Sequence, residues 1–166
     1  FVGFNFMPFQ IFLIPLFQLT NFLKIYDTHL AVILFHISFQ TGFCSFFLRN
    51  FMRTIPFEII EAARMDGISE FGVYWKITLP LSSPAIAALG ALLFTWIWND
   101  FIIALTLLRS DTLKPVTTGI ANLKQQYVAP YGIQNAAALM AFIPTIIVFF
   151  LLQKQFVKGL TMGGIK

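Results

Sequence analysis

The sequence predicts an all-α integral membrane protein with four membrane-spanning helices, on the basis of its composition, its hydropathy and its long uncharged stretches. Of the 166 residues, 58% are apolar and 11% are charged, whereas soluble domains are about 25% charged. The mean hydropathy is +0.80. This composition excludes a soluble globular domain. An aromatic content of 17% also excludes a disordered chain, because such chains are poor in aromatic residues.

Four windows are long enough to cross a bilayer, which requires about 20 mostly apolar residues in a helix. The windows 1–23, 28–48 and 131–153 contain no Asp, Glu, Lys or Arg. The window 81–108 contains a single acid, Asp100. We therefore expect each window to form one span.

The chain begins at Phe1 in apolar sequence, without an initiator methionine, a basic segment or a small-residue cleavage site. A secretory signal peptide would carry the last two features. We expect the chain to be the C-terminal part of a longer membrane protein, with residues 1–166 forming a single membrane domain.

Basic residues predict the orientation of the spans, because short cytoplasmic loops are enriched in Lys and Arg. The loop 49–79 and the tail after Gln153 carry seven of them, and the two other connections carry four. We expect a multi-pass protein of the cell (inner) membrane, with loop 49–79 and the C-terminus in the cytosol and the connection 109–130 outside. The net charge of +4 is spread too thinly to predict a nucleic-acid partner.

The loop 49–79 holds eight of the 18 charged residues, so it cannot lie in the hydrocarbon core. An amphipathic helix is predicted from about Pro56 to Asp66, because Pro suits the first helical position. Within it, Glu61 and Arg64 are spaced for an ion pair.

A turn and a second helix are predicted to follow. Gly67 can take the positive φ that ends a helix, and Ser69 can cap the next one. Phe71, Tyr74 and Trp75 then lie on one face, as in helices at a membrane interface. These signals predict a cytosolic helix–turn–helix between the second and third spans.

The residues of this loop also stand at a distinctive spacing. Three residues separate Glu61-Ala62-Ala63 from Gly67, and nine residues separate Gly67 from Ile77-Thr78-Leu79-Pro80. This pattern resembles the E-A-A loop of ABC importer permeases, the membrane subunits of binding-protein-dependent transporters. The resemblance implies that ATPase subunits dock on the loop to drive transport. The implied coupling residues are Glu61, Ala62, Ala63, Asp66, Gly67, Ile77, Leu79 and Pro80.

Sequence outside the loop resembles the carbohydrate-uptake branch of that family, in particular its smaller, maltose-type permease subunit. The similar segments are Trp98-Asn99-Asp100-Phe101 and the tail that ends at Gly163-Gly164-Ile165-Lys166. The resemblance implies a six-helix permease, of which this chain would supply the last four helices. It also implies a sugar as substrate and four kinds of partner: ABC ATPase subunits, a second permease subunit, an external sugar-binding protein and the lipid bilayer.

Asn99 and Asp100 allow two interpretations. An acid inside a membrane is by default a functional hypothesis, which would place both residues in a transport pathway or between packed helices. Alternatively, the neighbouring Trp96 and Trp98 resemble an aromatic belt, which would place Asp100 at the outer surface of the membrane.

No catalytic or cofactor-binding pattern is present in the sequence. It lacks the G-x-x-x-x-G-K-[ST] phosphate loop, and its one cysteine, Cys44, offers no metal-ligand set. His29 and His36 are seven residues apart and share a helical face, without the carboxylate or cysteine company that a metal site needs. We predict no enzymatic activity, no cofactor and no metal. A secondary transporter or channel without an ATPase, and an ABC permease for a non-sugar solute, stay open as alternatives.

Overall fold

The computed structural model describes residues 8–126 and 131–164, and every regular element within them is helical. The prediction of an all-α protein is confirmed for these residues. Three short segments, Phe9–Phe12, Tyr74–Thr78 and Asp111–Leu113, form 3₁₀ or π turns. The α-helices are α1 (Leu13–Phe22), α2 (His29–Met52), α3 (Phe57–Met65), α4 (Glu70–Val73), α5 (Leu79–Leu81), α6 (Ser83–Trp98), α7 (Ile102–Leu107), α8 (Val116–Gln126) and α9 (Tyr131–Gly164).

Two segments are long and apolar enough to cross a membrane as single helices. They are His29–Met52 and Tyr131–Gln153, which correspond to the second and fourth predicted windows. The pair Glu70–Leu81 and Ser83–Trp98 is bent by 65° and forms a third candidate span. The described residues thus provide two or three candidate spans by length and composition, and four spans stay a prediction.

The first predicted span is represented by a shorter helix. The apolar helical segment runs over Gln10–Phe22, whereas the sequence predicts a span over 1–23. Residues 1–7 of that window lie outside the described residues.

The third predicted span is wrong as a continuous helix over 81–108. Helix α6 ends at Trp98, and α7 begins at Ile102. The physical reason is Asp100, whose carboxylate accepts hydrogen bonds from the backbone of the first turn of α7. An aspartate that satisfies these N–H groups starts a new helix, so the old one does not continue through it.

The C-terminal helix is longer than the predicted fourth window, because α9 continues past Gln153 to Gly164. Pro144 lies inside it. No proline and only one glycine stand between Gln153 and the pair Gly163-Gly164, so no strong breaker ends the helix earlier.

The described residues cluster into two compact units. The first contains the residues up to Gly42 together with Phe94–Ile147. Its core is formed by Ala31, Ile103 and Leu107, each at most 2% exposed. Five apolar side chains pack against this core: Leu13, Leu16, Ile25, Val32 and Phe35.

The second unit contains Phe43–Leu93 and the described residues from Val148 onward. It includes α3, α4 and α5, the helices of the predicted cytosolic loop. Ala63 on α3, Val73 on α4 and Ala85 on α6 are buried in it. A single membrane domain over 1–166 stays a prediction.

Candidate functional site

Helix α3 carries the acidic residues of the predicted coupling loop. Pro56 is its N-cap and Asp66 its C-cap, so the helix is one residue shorter at each end than the sequence predicts. Glu58 lies in its first turn and Arg64 in its last. Both charges complement the helix dipole, which is positive at the N-terminus and negative at the C-terminus.

The turn after α3 depends on the backbone of Gly67. Its φ is +78°, as the sequence predicts, in the region that glycine adopts without steric cost. The N–H of Gly67 donates to the carbonyl of Arg64, and the N–H of Ile68 donates to the carbonyl of Ala63, both at 3.0 Å. These bonds satisfy two of the last carbonyls of α3 and fix the direction in which the chain leaves it.

A bidentate ion pair joins α3 to α4. The Nε and Nη2 atoms of Arg64 donate to the two carboxylate oxygens of Glu70 at 2.7 and 3.1 Å. The predicted Glu61–Arg64 pair is therefore wrong, because the turn brings both oxygens of Glu70 to the guanidinium in fork geometry. These hydrogen bonds from Arg64 hold the pKa of Glu70 below its usual range, and Glu70 raises the pKa of Arg64.

Helix α4 begins as the sequence predicts, with Ser69 as its cap. The Ser69 hydroxyl oxygen accepts from the N–H of Gly72 at 3.3 Å. Phe71, Tyr74 and Trp75 follow and are 73%, 42% and 52% exposed. Trp75 makes edge-on ring contacts with the other two, so the helix presents an exposed aromatic cluster.

The coupling residues implied by the resemblance differ in accessibility. Ala63 is 4% exposed, so its methyl group does not form part of the outer surface. Ile77 and Leu79 are half-buried and lie next to the bend at Ser82, which is fully buried. Four members on α3 and its turn, and one before the bend, are exposed: Glu61, Ala62, Asp66, Gly67 and Pro80.

Asp100 lies at the break between α6 and α7 in the first unit. Its side chain is 14% exposed. Its Oδ1 and Oδ2 atoms accept from the N–H groups of Ile103 at 3.3 Å and Ala104 at 3.0 Å. The Nε2 atom of His36 lies 3.7 Å from Oδ2. Sequence reasoning singled out Asp100 but missed this capping role.

The connection that follows α7 is folded against the first unit through Asp27. Its carboxylate accepts from the N–H groups of Arg109 and Ser110 at 2.8 and 2.9 Å. It also accepts from the Ser110 hydroxyl, and these bonds, with that hydroxyl foremost, hold the pKa of Asp27 below its usual range. Asp27 has a φ of +59°. No sequence signal links it to Arg109 and Ser110, which lie more than 80 positions further along the chain.

Helix α8 occupies most of the rest of this connection. Thr117 donates its hydroxyl to the carbonyl of Asp100 at 2.6 Å, and Thr118 is fully buried. Residues 127–130 of the predicted external connection lie outside the described residues. Within the described part of the chain, no group of three or more His, Cys, Asp or Glu side chains is arranged to hold a metal ion.

Comparison with known proteins places these features in a family. A family model described as "Binding-protein-dependent transport system inner membrane component" matches residues 2–162. The match therefore covers both compact units, including the loop 49–79 and the break at Asp100.

Several curated proteins are similar to the chain over nearly its whole length. The arabinooligosaccharides transport system permease protein of Halalkalibacterium halodurans is 39% identical over 96% of the chain and 57% of its own length. The alpha-glucoside transport system permease protein of Rhizobium meliloti is 38% identical over 99% of the chain and 45% of its own. The osmoprotective compounds uptake permease protein of Synechocystis is 35% identical over 96% of the chain and 54% of its own. The chain spans about half the length of the curated relatives that it matches.

Proposed function

The chain belongs to the family of binding-protein-dependent transport system inner membrane components, and on that premise we propose that it is a permease subunit of an ATP-driven sugar importer. Two of its relatives are named for arabinooligosaccharides and alpha-glucosides, which supports a sugar as the substrate. Members of this family are membrane components of transport systems and not enzymes. The partners that we propose are ABC ATPase subunits, a second permease subunit and an external sugar-binding protein.

The loop 49–79 is the surface that we propose for the ATPase. Its support is the geometry of α3, which ends at the Gly67 turn and is tied to α4 by Arg64 and Glu70. A helix whose C-terminal end is tied to the next helix in this way can transmit a rigid-body movement, because packed helices shift as units. In this arrangement Glu61 and Ala62 meet the ATPase, and Ala63 supports the helix from inside. The loop and the C-terminus are cytosolic in this account.

The opposite connection, 109–130, is the surface that we propose for the sugar-binding protein. Asp27 anchors its start, and Thr117 joins α8 to the break after α6. A connection held in this way offers a partner a formed surface, which avoids part of the entropic cost of binding.

One observation favours a second candidate substrate class. The relative from Synechocystis is named for osmoprotective compounds, which supports a permease for a non-sugar solute as the alternative. The two candidates share the same ATPase coupling and differ only in the transported molecule.

Cysteine crosslinking tests the coupling surface. In the assembled transporter with Cys44 replaced by Ser, we expect Ala62→Cys, labelled with benzophenone maleimide and irradiated, to form an adduct with an ATPase subunit. The matched control is Ala63→Cys on the same helix, which we expect to react much more slowly because that position is 4% exposed. Adducts are identified by gel shift and mass spectrometry.

A second position on α3 makes a negative crosslinking result interpretable. Met65 is 83% exposed and supplies a second position on α3. Absence of an ATPase adduct from both Ala62→Cys and Met65→Cys, in a complex that contains the ATPase, would rule out α3 as the docking helix.

A further inference from the structure

A cavity lies beside the break that follows α6, within the first unit. Its volume is about 450 Å³, which falls in the range of about 300–1,000 Å³ typical of small-molecule sites. The end of α6, helix α8 and the first turns of α9 line it. Its aromatic and polar lining consists of Trp98, Asn99, Phe101, Thr117, Gln134 and Phe142.

This lining has a definite chemistry. The described residues that line the cavity offer amides, a hydroxyl group, aromatic rings and aliphatic side chains, none of them charged, so they supply hydrogen bonds and apolar contacts. The amides of Asn99 and Gln134 both donate and accept hydrogen bonds, as do the hydroxyl groups of a ligand. The three aromatic rings offer flat apolar surface. A neutral ring with hydroxyl groups on its edge and C–H groups on its faces matches all of these features.

The walls of the cavity are fixed by bonds within the protein. The indole N–H of Trp98 donates to the carbonyl of Ala141 at 2.9 Å. Phe94 stacks on the Trp98 ring, with centroids 5.6 Å apart and planes 16° from parallel. The Thr117 hydroxyl donates its hydrogen bond to the carbonyl of Asp100, and its oxygen can still accept a hydrogen bond from a ligand. A site whose walls are already ordered loses less entropy when a ligand binds.

Two amide groups in the cavity have capacity left for a ligand. Asn99 donates its Nδ2 to the carbonyl of Thr95 at 2.7 Å, which leaves its Oδ1 as an acceptor. Gln134 is half-buried and lines the cavity. Its amide can both donate to and accept from a ligand there.

We propose that this cavity is a subsite for one neutral sugar unit, with Gln134 and Asn99 bonding its hydroxyl groups and the aromatic rings covering its faces. The inference rests on the proposed function as a sugar permease. It adds that this chain contacts the substrate directly, beside the connection 109–130.

Protection of an engineered cysteine tests occupancy directly. Ala138 lines the cavity and is exposed. In the assembled transporter, again with Cys44→Ser, the maleimide labelling rate of Ala138→Cys is measured with millimolar maltose or arabinotriose. We expect a sugar that the transporter imports to slow this labelling. Leu139→Cys is the matched control, since this neighbour is 69% exposed and does not line the cavity, and its labelling should not change.

Removing the Gln134 amide tests the mode of binding. Gln134→Ala should raise the sugar concentration that gives half-maximal protection about fivefold, the effect of one lost hydrogen bond. Asn135→Ala, the adjacent amide outside the cavity lining, should leave that concentration unchanged.

The outcomes separate this subsite from the proposed function. If the transporter imports a sugar on ATP and that sugar does not protect Ala138→Cys, or protects Leu139→Cys equally, the subsite is overturned and the proposed function stands. If the transporter imports neither maltose nor arabinotriose on ATP and neither protects Ala138→Cys, the assignment of glucoside or arabinoside oligosaccharides as its substrates is overturned together with the subsite for them.

Discussion

Replacing Gly67 by valine is expected to reduce ATP-driven uptake at least about tenfold, because a bulky residue held in the left-handed region is strained by about 1–3 kcal/mol. Gly67 has a φ of +78°, and this φ sets the direction in which the chain leaves α3. Valine, being β-branched, resists this region strongly. The turn is therefore expected to shift and to carry α3 away from its docked position. Uptake and ATP hydrolysis are measured together, and the ratio of sugar imported to ATP hydrolysed should fall.

Gly67→Asn is the matched control for this experiment. A Cβ atom added at Gly67 meets no atom within 4 Å, so the Cβ of either residue fits, and the two substitutions differ in their tolerance of positive φ. Asparagine is enriched in the left-handed region, so we expect it to retain most of the uptake. Equal uptake by the valine and asparagine variants would show that the backbone of this turn does not limit coupling.

The second large effect is expected from Asp100→Leu, which should destabilise the protein by about 2–4 kcal/mol, since each buried N–H left without a partner costs about 1–3 kcal/mol. Ile103 and Ala104 are 2% and 1% exposed, so water does not replace the lost carboxylate. Asp100→Asn keeps one acceptor oxygen and should be destabilised less. The midpoint of thermal unfolding of the purified complex measures the difference.

Asp111→Leu is the control for the loss of an acid in the same region. Asp111 is 77% exposed on its side chain and pairs at 2.7 Å with Lys114, whose side chain is 14% exposed. Because the carboxylate itself lies in water, we expect its loss to cost about 1 kcal/mol, less than the loss of Asp100. The unfolding midpoint of Asp111→Leu should therefore stay near that of the unchanged protein. If Asp100→Leu also left the midpoint unchanged, the bonds from the first turn of α7 to the Asp100 carboxylate would not stabilise the start of this helix.

Local signals in the sequence account for most of the loop 49–79. Pro56 and Gly67 act through the backbone conformations of their residue types, and Ser69 acts through its short hydroxyl side chain. Their roles as boundary, turn and cap can therefore be predicted in order along the chain. The partner of Arg64 could not be read in this way, because the choice between Glu61 and Glu70 depends on the direction of the turn between the two helices.

The third window shows where hydropathy is insufficient. A hydropathy window that contains one acid among apolar residues predicts a span. In the structure, Asp100 instead lies at the break where α6 has ended and α7 begins. The signal was present, since an aspartate immediately before an apolar run is a helix-start pattern. No local pattern encodes two other features, because each joins residues that are far apart in sequence. They are the hydrogen bonds from Ser110 to Asp27 and the cavity lined by Trp98 and Gln134.

ATP-driven sugar import is tested by measuring the uptake of labelled sugar into vesicles. The vesicles contain the reconstituted transporter with its ATPase, and the external binding protein is added. We predict that uptake requires ATP and binding protein, stops with a non-hydrolysable ATP analogue and continues when ionophores abolish ion gradients. Uptake that persists without ATP and disappears with the ionophores would contradict ATP-driven import and indicate a secondary transporter.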